Sequence, residues 1–220
     1  MKEVPKYVIR ISCNDLTTTE KFYIAQGFSL VAREDNLNSW IAKENLTLCL
    51  VQSAADSPCL VSYWEKPDEA IRTLEELGVI FNFSADSQGN HFEAHFTDPA
   101  GLPLVIADSM DLPKEISIEN FPGELVVPSS LNFQDSVNFW HSIGFKIQPS
   151  GAQPHAWSVL NHGAMTVGIH QSMNWEKPGL CFRKESCPFN TETVELDIRV
   201  YSKVNIGQTI DGCRYYSLGE

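Results

Sequence analysis

The sequence predicts an α+β fold made of repeated β-α-β-β-β modules, and three observations carry that prediction. The first is an internal repeat. KFYIAQGFSLV (Lys21 to Val31) leads through Ser39-Trp40-Ile41 to LTLCLVQS (Leu46 to Ser53). About 118 residues later, NFWHSIGFKI (Asn138 to Ile147) leads through Ala156-Trp157-Ser158 to MTVGIHQS (Met165 to Ser172). A long-period repeat of this kind sets architecture before any local assignment does. The second is a 3.6-residue apolar period in segments that end in Gly, and the third is strict alternation in the segments between them.

Taken in order, Tyr7 to Cys13 alternates as a strand, with Tyr7, Ile9, Ile11 and Cys13 on one face and Val8, Arg10 and Ser12 on the other. The apolar set belongs against a helix, which leaves Arg10 and Ser12 on the opposite side. The helix that follows is capped by Asn14 or Asp15, groups Leu16, Glu20 and Tyr23 on one side, and ends at Gly27. A break near Ala54 to Pro58 separates it from a second unit. There Ala70, Ile71, Leu74 and Leu77 form the stripe of a helix entered at Pro67 and left at Gly78. Phe133, Val137, Trp140 and Gly144 repeat the pattern in the second half. The acidic, proline-containing stretch DSMDLPKEISIENFPGE reads as a linker. It divides the chain into a first domain of two modules (1–107), a linker (108–123) and a second domain (124–220). In the last forty residues Gly179 to Ser186 and Val194 to Val200 read as strands, but no second Asp-Pro-x-Gly turn follows. The fourth module is therefore expected to be degenerate or incomplete, with a second copy of the chain covering the open edge as a homodimer.

Composition excludes several classes of function. Sixteen basic against 28 acidic residues leave a formal charge of −12, which repels phosphate backbones and anionic lipid, so neither nucleic acid nor a membrane surface is an expected partner. No apolar run approaches the roughly 20 residues of a membrane-spanning helix. The N-terminus lacks a secretory h-region, and six scattered cysteines form no C-x-x-C pair. These features predict a cytoplasmic protein with reduced thiols.

FTDPAGLPLVI (Phe96 to Ile106), with Asp98, Pro99 and Gly101 at the corners of a type I turn, adds a sharper signal. Together with Phe22-Tyr23…Gly27-Phe28, Phe139-Trp140…Gly144-Phe145 and the duplicated module order, the chain resembles the vicinal oxygen chelate superfamily of glyoxalases, bleomycin-resistance proteins and extradiol dioxygenases. The resemblance implies modules paired into half-open barrels with helices on the outer face. It implies a concave face that holds a small molecule and, in the enzymes, a divalent metal bound by His, Gln or Glu on the first and last strands of each module. Carried over, those positions fall on Val8, on Val105, on Cys59 or Leu60, and on Leu48 and Leu50. None is a usual ligand for such a site, so no metal or other cofactor is expected there.

What remains polar on that face defines the candidate site. His91, Glu93 and His95 share one side of a strand; residues i and i+2 are roughly 6.6 Å apart, so two of the three could converge on an ion but not all three. Glu93 and His95 are read instead as ligand-contacting groups, with a metal at His91, Glu93 and His95 as the alternative. Arg10 either holds an acidic group of a ligand or pairs with Glu93 across the cavity. Ser12 lies beside it. Trp40, repeated by Trp157, either lines the pocket or packs in the core. Cys59 reads as core rather than nucleophile. His162 is expected to face solvent, and His170 to end a strand near the concave opening. No catalytic residue is assigned. Three functions compete: metal-independent binding of an aromatic or acidic small molecule, a metal-dependent lyase or dioxygenase with relocated ligands, and a ligand-free interaction scaffold.

Overall fold

The computed structural model describes residues 4–34, 37–55, 57–85, 92–118, 121–153, 155–171, 177–190, 194–198 and 201–218. The first module comprises β1 (Lys6–Cys13), α1 (Leu16–Ala25), β2 (Ser29–Glu34), β3 (Asn38–Lys43) and β4 (Leu46–Gln52). The second comprises β5 (Cys59–Trp64), α2 (Pro67–Glu76), β6 (Asn82–Ala85), β7 (Phe92–Thr97) and β8 (Pro103–Asp108). The third follows as β9 (Glu124–Pro128), α3 (Phe133–Ser142), β10 (Lys146–Gly151), β11 (Trp157–His162) and β12 (Met165–His170). The fourth has β13 (Gly179–Arg183), β14 (Val194–Ile198), β15 (Tyr201–Gln208) and β16 (Arg214–Leu218). The strands form two open eight-stranded sheets. Sheet A runs β2-β3-β4-β1-β5-β8-β7-β6, and sheet B repeats that order as β10-β11-β12-β9-β13-β16-β15-β14. In each, the opening strands of the two modules pair antiparallel and each pairs parallel with its own closing strand.

The helices pack as expected on the apolar face of each sheet, the face of Ile9 and Ile11 in β1 and of Leu125 and Val127 in β9. Asp15 caps α1 by accepting from Thr18 N at 3.0 Å, and Gly27 closes it at φ 90°. Leu16, Glu20 and Tyr23 are buried, and Arg33 and Ser39 hydrogen-bond the Glu20 carboxylate. In α2 the stripe is shorter than expected: Ala70, Ile71 and Leu74 are buried, but Leu77, the C-cap, is half exposed. One apolar core joins these helices to both sheets, from Ile9, Ile11, Leu48 and Leu50 to Leu125, Val127, Val167 and Ile169. The helix-bearing faces are therefore turned toward each other, and the helix-free faces point apart.

The halves are stitched crosswise. Trp140 on α3 is fully buried and donates from Nε1 to Asp98 Oδ2, 3.0 Å away in the turn between β7 and β8. The same carboxylate accepts from the backbone N–H of Ala100 and Leu102 through Oδ1. Tyr23, the counterpart of Trp140 on α1, is buried beside Thr209 and Asp211, between β15 and β16.

Two expectations are corrected here. The fourth module is incomplete as expected, but no strand is missing from it. Thr209-Ile210-Asp211-Gly212 makes the turn that Asp98-Pro99-Ala100-Gly101 makes: Gly101 N donates to Asp98 O at 2.9 Å and Gly212 N to Thr209 O at 3.0 Å, with φ 90° and 86° at the two glycines. The helix is what the module lacks among the described residues. A single 3-10 turn, Lys184–Ser186, stands in its place, and Phe189 fills the space against Tyr23, Phe28 and Tyr215. Secondly, Trp157 does not repeat Trp40. Trp40 pairs with Cys49, whereas Trp157 pairs with His170, two residues beyond Gly168, the equivalent of Cys49. The residue equivalent to Trp157 is Asn38.

Candidate functional site

The register across β1, β5 and β8 places Val8 opposite Val61, and Val61 beside Val105, in one row on the helix-free face of sheet A. Val61, rather than Cys59 or Leu60, completes that row. Leu48, Leu50 and Leu60 point the other way, into the core shared with the helices. The strand alternation that puts Ile9 and Ile11 under α1 is what brings Arg10 up beside this row. It lies in register between Cys49 on β4 and Cys59 on β5. Both thiols are buried, which pushes them up to about 12 and leaves them unreactive.

Arg10 meets Glu93 on β7 in a two-pronged ion pair, Nη2 to Oε1 at 2.6 Å and Nη1 to Oε2 at 3.1 Å. His95 Nε2 lies 3.2 Å from Glu93 Oε2 and 2.9 Å from Ser84 Oγ. Burial alone would raise the Glu93 carboxyl, but the hydrogen bonds from His95 and Arg10 outweigh it and hold the group at about 2. Arg10 is held fully charged for the complementary reason: Glu93 offsets the burial that would weaken it. Of the two readings of Arg10, the pair with Glu93 is the one the structure contains. Its Nε–H is nonetheless buried without a hydrogen-bond partner among the described residues.

Beside this pair opens a cleft of about 560 Å³. Arg10, Ser12, Glu93 and His95 line it together, with Asn82 and Phe96 among its other walls. His91 lies outside the described residues. Trp40 is not part of the cleft. It is 2% exposed and packs with Tyr63 under Leu112 and Ile116. Those two residues belong to the expected linker, which thus covers one end of sheet A's helix-free face instead of running free. Sequence reasoning missed this plug and the contribution of Asn82; Leu112, Ile116 and Ile118 in an otherwise acidic stretch were the only available signal for the first.

Sheet B presents a different face. In the same register, Cys181 pairs with Glu124 and lies beside Tyr216, so the row equivalent to Val8, Val61 and Val105 reads Glu124, Cys181 and Tyr216. Tyr216 stands seven residues after Thr209, as Val105 does after Asp98. His170 is buried, with Nε2 3.3 Å from Glu124 Oε1 and Nδ1 3.3 Å from His155 Nε2. Burial, then His170, lowers the His155 imidazole below its ordinary value. His162 is half-buried and not turned to solvent: its Nδ1 meets the Tyr7 hydroxyl at 2.6 Å, across the boundary between the halves.

A resident metal of the kind the resemblance implies does not fit these residues. The row on sheet A offers no donor atom. Among the described residues, no three His, Cys, Asp or Glu side chains are grouped to hold an ion. Nor is any described helix long and apolar enough to cross a membrane.

No family model matches the chain, and no curated protein does. Solved structures do. The Mn(II)-bound glyoxalase from Novosphingobium aromaticivorans superposes with a TM-score of 0.65 at 15% identity, covering 100% of this chain and 83% of that one. Homoprotocatechuate 2,3-dioxygenase from Arthrobacter globiformis gives 0.61 at 12% identity over 99% and 80%. A catechol 2,3-dioxygenase gives 0.61 at 10% identity over 99% and 93%. The expected resemblance to the vicinal oxygen chelate superfamily holds for the fold of the whole chain.

Proposed function

We propose that the chain binds a small molecule in the cleft on sheet A without a metal, using Arg10, Ser12, Glu93 and His95 as polar anchors. The observation that carries this reading is the conjunction of an apolar row with a fixed ion pair beside a 560 Å³ opening. Ligand sites are commonly clefts of this size, mostly apolar, with a few placed polar groups. The same observation selects among ligands. The charge of Arg10 is already matched by Glu93, which stays ionised at any physiological pH. A carboxylate ligand would place a second anion on one guanidinium, and like charges that close are costly. An uncharged aromatic compound carrying a carbonyl or hydroxyl acceptor meets no such penalty.

Thermal denaturation in excess chelator tests this with benzamide and benzoate as matched probes. Stabilisation by benzamide that exceeds stabilisation by benzoate, and that disappears in Arg10→Ala, supports the reading. Benzoate as the better ligand would overturn the choice of an uncharged class, and no shift with a wider aromatic set would overturn binding itself.

A further inference from the structure

The helix-free face of sheet B carries a chain of titratable groups that the cleft on sheet A does not use. Glu124 opens β9, His170 closes β12, and His155 precedes β11. The His170 side chain is 5% exposed, and its two ring nitrogens face Glu124 and His155 at 3.3 Å each. The two imidazole rings are 5.6 Å apart and inclined by 56°. Cys181 lies across the ladder from Glu124, and Trp157 is the β11 partner of His170. A second observation shows that the strand makes room for this contact. A Cβ on Gly168, inside β12, would stand 1.6 Å from Glu124 Oε1. Glycine weakens a strand interior and marks a close approach; the equivalent position on sheet A is Cys49.

The arrangement dictates where the hydrogens lie. An ionised carboxylate only accepts, so His170 Nε2 carries the hydrogen between it and Glu124. In the neutral ring His170 Nδ1 then accepts, and His155 Nε2 must donate. That leaves a lone pair on His155 Nδ1, at the partly exposed end of the chain. We propose that Glu124, His170 and His155 form a proton relay whose outer end, His155 Nδ1, accepts protons from small weak acids with an ionisable O–H or N–H. A proton taken up at Nδ1 is matched by passage of the His155 Nε2 hydrogen to His170 Nδ1 and of the His170 Nε2 hydrogen to Glu124. Both rings end neutral, with their tautomers reversed and the carboxylate protonated.

Long-range proton–nitrogen correlation spectra of the nitrogen-15-labelled full chain test the first half. Hydrogen on Nε2 and a bare Nδ1 at His155 near neutral pH support the relay; hydrogen on His155 Nδ1 overturns it. Acylation by diethyl pyrocarbonate, read by peptide mass spectrometry, tests the coupling. His155 should react fastest of the six histidines. Gly168→Ala keeps every titratable group but displaces the Glu124 carboxylate, and should slow His155 about tenfold while leaving His141 unchanged. An unchanged rate in a folded Gly168→Ala protein overturns the coupling, and Glu124→Gln supplies the same readout should Gly168→Ala not fold. For the ligand class the probe is 4-nitrophenol, whose anion is coloured. A rise in its ionised fraction on mixing with wild type, lost in His155→Ala, supports the assignment, and no rise overturns it.

Discussion

The two helix-free faces are built on one strand order and one register, yet they are furnished oppositely. On sheet A the central row is three valines, the polar groups stand to one side as a closed ion pair, and one end is plugged by Leu112 and Ile116. On sheet B the same row is Glu124, Cys181 and Tyr216, and the polar groups continue outward through two imidazoles. Backbone geometry is thus indifferent to what the face does. Chemistry is set by side chains at a handful of register positions, which is why a shared fold at 10–15% identity says so little about activity.

Each of the following changes presses on that comparison. The largest effect is expected from Trp140→Ala, which removes a fully buried indole and leaves Asp98 Oδ2 without its donor; chemical unfolding should show a loss of about 3–5 kcal/mol. Retained stability would mean that the crosswise contact holds nothing together. Arg10→Ala comes next. It strands Glu93, and because both side chains keep some exposure (17% and 26%) the loss should be about 2–3 kcal/mol, below that of a fully buried pair, with ligand stabilisation abolished. Ile116→Ala should cost about 2 kcal/mol and open the plugged end of sheet A, so that bulkier aromatic probes gain in stabilisation over benzamide. An unaltered size preference would show that the plug does not bound the cleft.

The smallest change is one of slope. Glu93 titrates lower in the folded chain than in the unfolded one, so its contribution is complete above the ordinary carboxylate range and is lost as pH falls from about 4.5 toward 2. Stability measured over that interval should fall less steeply in Glu93→Gln than in wild type. Equal slopes would show that the ion pair seen on sheet A is not maintained in solution.

Much of this architecture was legible in the residues. Alternation placed Arg10 and Ser12 on the helix-free face, and Asp98 with Gly101 announced a hairpin whose backbone the structure reproduces. Pairing Arg10 with Glu93 was also within reach, because both had to face one cavity. Thr209-Ile210-Asp211-Gly212 was missed for a physical reason: Asp211 accepts from Cys213 N as Asp98 accepts from Leu102 N, and Thr209 Oγ1 donates to Asp211 and to the Cys213 carbonyl, so the turn survives without the sequence signature. The relay on sheet B was invisible because its members are 46 and 15 residues apart and meet only through strand pairing. Trp157 misled because a match of residue type was read as a match of register.

The crosswise stitching through Trp140 and Tyr23 has a consequence for how the chain must hold together. Trp140 donates into a turn of the first half and Tyr23 is buried beside the corresponding turn of the second, so the molecule behaves as a heterodimer whose partners are joined covalently. The stretch after β8 then acts as a tether that keeps the halves at a high local concentration. A proteolytic nick within it would leave every hydrogen bond of the crossing in place but turn stability into a quantity governed by mass action, falling on dilution where the intact chain does not.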